Sequence, residues 1–188
     1  MNPVSHTLAI GELCRELPLF EVKPGLSIAV LNILGDVELV ETAARELAVR
    51  LADTAPEVLV TPEAKSIPLA YALARHMNLP YVVLRKNYKS YMGEAISATT
   101  LSITTGTEQT LYLDAKDRAL LDGARIALVD DVVSTGSTLK GVRGVIALAG
   151  GTIVAEAAIC TEGDAETWKD VIALGHLPLF ASDGDAAA

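Results

Sequence analysis

The segment Ile126-Ala-Leu-Val-Asp-Asp-Val-Val-Ser-Thr-Gly-Ser-Thr138 constrains this chain more than any other. It reads as an apolar strand, two adjacent carboxylates, and a Ser/Thr/Gly turn that opens a helix near Ser137. In an open α/β sheet, ligands sit beyond the carboxyl ends of the strands. Residues Ser134, Thr135, Gly136, Ser137 and Thr138 offer hydroxyls, backbone N–H groups and the positive end of a helix dipole, which suit a phosphate. Gly136 allows a positive φ or a close backbone approach. Asp130 and Asp131 would repel that anion unless they serve something else, and ribose hydroxyls with Mg²⁺ nearby are the fitting partners. The plain alternative is a helix N-cap beside a solvated Asp pair. Neither a GxxxxGK[ST] loop nor a GxGxxG turn after a strand occurs, so the two common nucleotide fingerprints are excluded.

The rest of the chain supplies a sheet for that segment. Strands are expected over 27–31, 58–61, 81–84, 125–129 and 152–160. Helices are expected over 37–51 with Asp36 as N-cap, 67–77, 137–149 and 164–174, with a short amphipathic helix over 6–16. Residues 85–114 read as a polar loop feeding a β-hairpin that alternates through 99–104 and 109–113 around Thr105-Gly106-Thr107. Apolar strands alternating with helices predict an α/β fold with a central, mostly parallel sheet flanked by helices. A length of 188 residues predicts one domain, 1–188, with a frayed tail at 182–188.

Composition narrows the function classes. The net charge of −9 gives no sign of the basic face that non-specific nucleic-acid binding needs. Neither a signal-like N-terminus nor a membrane-length apolar run is present, which predicts a cytoplasmic protein with no membrane partner. Cys14 and Cys160 form no CxxC and read as free thiols. His6, His76 and His176 lack metal-ligand spacing, and Trp168 reads as packing a helix against the core.

Segment 126–138 resembles the phosphoribosylpyrophosphate signature of type I phosphoribosyltransferases. The resemblance implies that Asp130 and Asp131 contact the ribose hydroxyls and that residues 134–138 hold the 5-phosphate. Thr61-Pro-Glu-Ala-Lys-Ser-Ile-Pro68 follows a strand and opens a helix, where the family places its pyrophosphate loop. That implies Glu63, Ala64, Lys65 and Ser66 as pyrophosphate-binding, with a strained or cis peptide expected at Ala64–Lys65. Arg85-Lys-Asn-Tyr-Lys-Ser-Tyr-Met-Gly-Glu94 resembles the start of the family's mobile catalytic loop. The cations Arg85, Lys86 and Lys89 would there stabilise the leaving pyrophosphate. Residues 86–95, polar with few apolar anchors, are expected to be mobile. The resemblance also implies a small hood, a flexible β-hairpin loop, Mg²⁺ as cofactor and a homodimer, and residues 1–25 are expected as an N-terminal extension.

The wording of residues 61–68, 85–94 and 99–113 is similar to the purine branch of that family. Asn32 matches an asparagine that contacts the base in xanthine enzymes, and Val132 is assigned to the base side as well. Glu162 stands where those enzymes carry a base-reading lysine. An ionised glutamate only accepts, so it suits the 6-amino group of adenine. Against that, adenine enzymes carry a glutamate near Thr104, where this chain has threonine. The expected activity is therefore transfer of ribose 5-phosphate from phosphoribosylpyrophosphate to adenine, in purine salvage. Hypoxanthine, guanine or xanthine stand as the alternative. A non-catalytic purine-sensing regulator is the rival class. It is disfavoured by the acidic balance and by the roughly 25 residues before the first core strand, too few for an added winged helix.

Overall fold

The computed structural model describes residues 5–101 and 108–181. Thr104, Thr105-Gly106-Thr107 and the 182–188 tail lie outside the described residues. Five strands form a parallel sheet in the order β10-β9-β8-β4-β5, namely Ile172–Leu177, Thr152–Glu162, Arg125–Val133, Val58–Pro62 and Tyr81–Leu84. The central strand β8 shows why its sequence is apolar throughout. Ala127 and Val129 enter one buried cluster while Ile126 and Leu128 enter another, as side chains alternate across the sheet.

Helices α1 (Val37–Leu51) and α2 (Ile67–Met77) cover the first face. Asp36 caps α1 by accepting from Leu39 N at 3.0 Å, and Leu39, Val40, Ala43, Ala44, Leu47 and Leu51 are buried. Asn78 ends α2 at φ 54°, a left-handed position that asparagine tolerates. The short helix α3 (Arg118–Leu121) leads into β8. Helix α4 (Ser137–Leu148) covers the second face together with the hairpin of β6 (Ile96–Leu101) and β7 (Glu108–Leu113).

A second sheet, β1 (Ser5–Ile10), β2 (Leu13–Lys23), β3 (Leu26–Ala29) and β11 (Phe180–Ala181), forms a small antiparallel hood. Residues 6–16 are thus a hairpin, not the expected helix. Leu8 and Ile10 are buried at a period of two, and Gly11 turns the chain at φ 58°. Residues 164–174 are not a helix either. The Asp164 carboxylate accepts from Glu166 N at 3.0 Å and Thr167 Oγ1 at 2.8 Å, which holds a short 3-10 turn. The apolar run from Ile172 then continues as strand β10. Among the described residues no helix is long and apolar enough to cross a membrane.

Candidate active site

Strand β8 carries Asp130 and Asp131 to the carboxyl edge of the sheet, between β4 and β9. Each is only 7% exposed. Asp131 N donates to Asp130 Oδ1 at 2.9 Å. Burial, reinforced by the Asp131 carboxylate, pushes the Asp130 carboxyl well above the usual carboxylate range. Lys65 Nζ lies 2.7 Å from Asp131 Oδ2. The half-exposed ammonium thus neutralises a buried carboxylate.

Asp130 and Val132 border a small pocket with Ser134, Thr135, Gly136 and Thr138. Gly136 sits at φ 73° as the N-cap of α4, and no side chain caps the first turn. The N–H groups of that turn are therefore available to an anion. Thr135 Oγ1 and Ser137 Oγ lie 3.2 Å apart, and Thr100 from the hairpin donates to Ser137 O at 3.3 Å.

The 61–66 turn faces this edge from the end of β4. Its cis peptide is Glu63–Ala64, one bond earlier than the expected Ala64–Lys65. Buried Thr61 donates to Ser66 Oγ at 2.8 Å, and Ser66 donates to Pro62 O at 3.1 Å. That internal pairing holds the turn while Lys65 reaches Asp131. The Glu63 carboxylate turns toward the 85–94 segment. It accepts from Arg85 Nε and from Lys86 N, both at 2.9 Å, and so ties this turn to the 85–94 segment. A carboxylate so engaged supports a cation instead of opposing an anion.

Arg85 pairs by backbone with Tyr112 at 2.9 and 2.8 Å, and its Nη1 donates to Tyr91 Oη at 3.4 Å. Lys86 and Lys89 are exposed. The expectation of few apolar anchors in 86–95 is corrected at Met92, which is 1% exposed, and the Tyr88 ring lies 6.0 Å from that of Tyr112.

On the base side, Val132 is half-buried and in register with Cys160. Glu162 ends β9, half-buried. Burial raises its carboxyl, and the charge of Lys65 offsets part of that rise. Lys65, Asp131 and Glu162 therefore share one electrostatic neighbourhood. The Cys160 thiol, buried and facing the Asp131 and Glu162 charges, is pushed up to about 12 and stays protonated. Asn32 is exposed in the loop between β3 and α1, where its Oδ1 accepts from Leu34 N at 3.2 Å. Among the described residues no three His, Cys, Asp or Glu side chains cluster as a metal site.

Two features escaped the sequence. Trp168 does not lie on the expected 164–174 helix; from a short turn it packs against the core cluster under α4, with its ring against Gly136 and its indole N–H donating to Glu162 O at 3.2 Å. The Glu63–Arg85 link joins residues 22 apart, beyond the reach of any local pattern.

A family model described as the phosphoribosyl transferase domain matches residues 31–173. The purine biosynthesis transcriptional repressor of Bacillus subtilis is 32% identical over 120 residues, covering 64% of this chain and 41% of that protein. The hypoxanthine/guanine phosphoribosyltransferase of Methanococcus voltae is 35% identical over 115 residues, covering 61% and 58%. The chain thus spans roughly two fifths to three fifths of the length of these relatives. In fold it is similar to the solved adenine phosphoribosyltransferase of Thermoanaerobacter pseudethanolicus. The TM-score is 0.71 at 21% identity, over 85% of this chain and 95% of that one.

Proposed function

Because the chain belongs to the phosphoribosyl transferase domain family, we propose that it transfers ribose 5-phosphate from phosphoribosylpyrophosphate to a purine base and releases pyrophosphate. The observation that carries this reading is the buried Asp130–Asp131 pair beside the uncapped 134–138 turn, with Lys65 paired to Asp131 across the cleft. On this reading the turn holds the 5-phosphate and the two carboxylates hold the ribose hydroxyls. Lys65 and Arg85, with Lys86 and Lys89, take the negative charge that grows on the pyrophosphate as its bond to the anomeric carbon breaks. The base nitrogen attacks the cationic sugar carbon and gives up its proton to solvent as the pyrophosphate departs, and Ala64 and Ser66 line the turn that orients the leaving group.

The residues fit Mg²⁺ in its usual mode, bound through one or two carboxylates plus substrate oxygens. Asp130 and Asp131, adjacent at the carboxyl edge of the sheet, would supply such carboxylates. When bound, the ion would neutralise part of the pyrophosphate charge.

For the base we infer adenine, with Glu162 accepting from the 6-amino group. Its half-buried place beside Lys65 supports a role facing the cleft. A second reading, a 6-oxopurine, is favoured by the name of the Methanococcus relative. Glu162→Lys replaces an acceptor with a donor at similar reach. We expect it to lower kcat/KM for adenine and raise that for hypoxanthine or xanthine relative to adenine, by roughly 5- to 150-fold. Affinity for phosphoribosylpyrophosphate should hardly move. Steady-state kinetics on four bases checks this, and equal effects on all four would remove Glu162 from base selection.

The repressor relative keeps a sensor reading in view. Turnover of labelled phosphoribosylpyrophosphate, set against a gel shift with DNA upstream of purine-biosynthesis genes, separates the two. A cytoplasmic homodimer completes the proposal. Leu34, Val37 and Tyr71 expose an apolar face (55, 72 and 52%) around α1 and α2, which suits a subunit contact.

A further inference from the structure

Trp168 is the only tryptophan in the chain. Its ring meets the phosphate turn at the one residue without a side chain. A Cβ built on Gly136 would lie 2.6 Å from Trp168 Cη2, 3.4 Å from Cζ3 and 3.5 Å from Cζ2. No side chain fits between ring and turn, so the indole forms the wall behind Gly136. Gly136 also holds φ 73°, so both its backbone and its surroundings require glycine.

The loop that presents the ring is fixed at several points. Asp164 accepts from Glu166 N and Thr167 Oγ1, Trp168 N donates to Ala165 O at 3.2 Å, and Val171 N donates to Trp168 O at 3.0 Å. Gly163 N donates to Leu177 O at 3.1 Å, which ties the loop to β10. The ring is partly buried against the core cluster under α4. Its indole N–H reaches back to Glu162 O at 3.2 Å. One side chain therefore touches both the turn at the start of α4 and the carboxyl end of β9.

We propose that Trp168 is a positioning residue for the phosphate seat. It backs the 134–138 turn so that the first-turn N–H groups keep their aim, and it links occupancy of that seat to the strand end carrying Glu162. The inference rests on the reading of the turn as the 5-phosphate site. The ligand is any small phosphomonoester of ribose, and ribose 5-phosphate is the probe.

The test is a titration of the full chain with ribose 5-phosphate, followed by calorimetry and by Trp168 emission together. Indole emission responds to charge placed near the ring, so we expect it to change in step with calorimetric saturation. Trp168→Ala should weaken ribose 5-phosphate binding by about 10- to 100-fold, the scale of one misdirected hydrogen bond to a charged group. Trp168→Phe, which keeps a ring behind Gly136, should recover most of that loss. A general destabilisation would not produce that split between two folded variants. Unchanged ribose 5-phosphate affinity in a folded Trp168→Ala would overturn the inference and leave the proposed function standing. Should that variant not fold, wild-type emission decides: a signal flat through calorimetric saturation overturns it. No binding by the wild-type chain would overturn both this inference and the reading of the turn.

Discussion

Replacing both Asp130 and Asp131 with Asn is expected to cut phosphoribosyl transfer at least ~100-fold, the scale of losing a transition-state electrostatic contact, without unfolding the protein. The two carboxylates are each 7% exposed at the sheet edge, and Lys65 pairs with Asp131. Burying adjacent negative charges costs stability that a site retains only for its chemistry. The raised Asp130 carboxyl fixes the sign of the pH dependence. A group whose folded pKa exceeds its unfolded value makes folding take up a proton. Its contribution is full below the unfolded pKa and is lost as pH rises through the folded one. Wild-type stability should therefore fall with rising pH across that window, and the double Asn variant should lose this part of the slope. Thermal melts from acid to neutral pH alongside turnover check both halves. A variant with near wild-type turnover would remove the pair from the site.

Gly136→Ala is expected to have the second large effect. A left-handed φ costs an L-residue ~1–2 kcal/mol, and the new methyl would meet the Trp168 ring 2.6 Å away. Overpacking of this kind adds ~1–3 kcal/mol. Either the ring or the turn must shift, and the N–H groups of α4 shift with it. Affinity for phosphoribosylpyrophosphate should fall by up to ~100-fold, the scale of a lost hydrogen bond to a charged group, with a lower melting temperature. Calorimetry on the folded variant reads the first and a thermal melt the second. Full affinity in a folded Gly136→Ala would mean that the anion seat lies elsewhere.

What the sequence made legible was local. Helices 37–51 and 67–77 and strands 58–61 and 81–84 follow from caps, apolar period and breakers that sit within a few residues of each other. The strand–Asp–Asp–turn order of 126–138 placed the carboxylates at a sheet edge and Gly136 at a helix start, where the structure has them. The errors arose where two periods compete. Leu8, Leu13 and Leu17 imitate a helical stripe, but Gly11 turns the chain and the hood sheet takes Leu8 and Ile10 at period two. In 164–174 the Asp164 side chain captured the backbone of the would-be first turn, and pairing with β9 claimed the rest. The Glu63–Arg85 link and the seat of Trp168 on Gly136 depend on tertiary placement, which no local spacing encodes.

The central claim is that the 61–66 turn, the Asp pair and the 134–138 turn together perform phosphoribosyl transfer to a purine. The direct measurement supplies the full chain with phosphoribosylpyrophosphate, Mg²⁺ and adenine, hypoxanthine, guanine or xanthine in turn, and follows pyrophosphate and nucleotide together. One nucleoside monophosphate per pyrophosphate released is expected with at least one base, fastest with adenine, and none of either without a base. Binding of phosphoribosylpyrophosphate with no base-dependent pyrophosphate release from any of the four would contradict it.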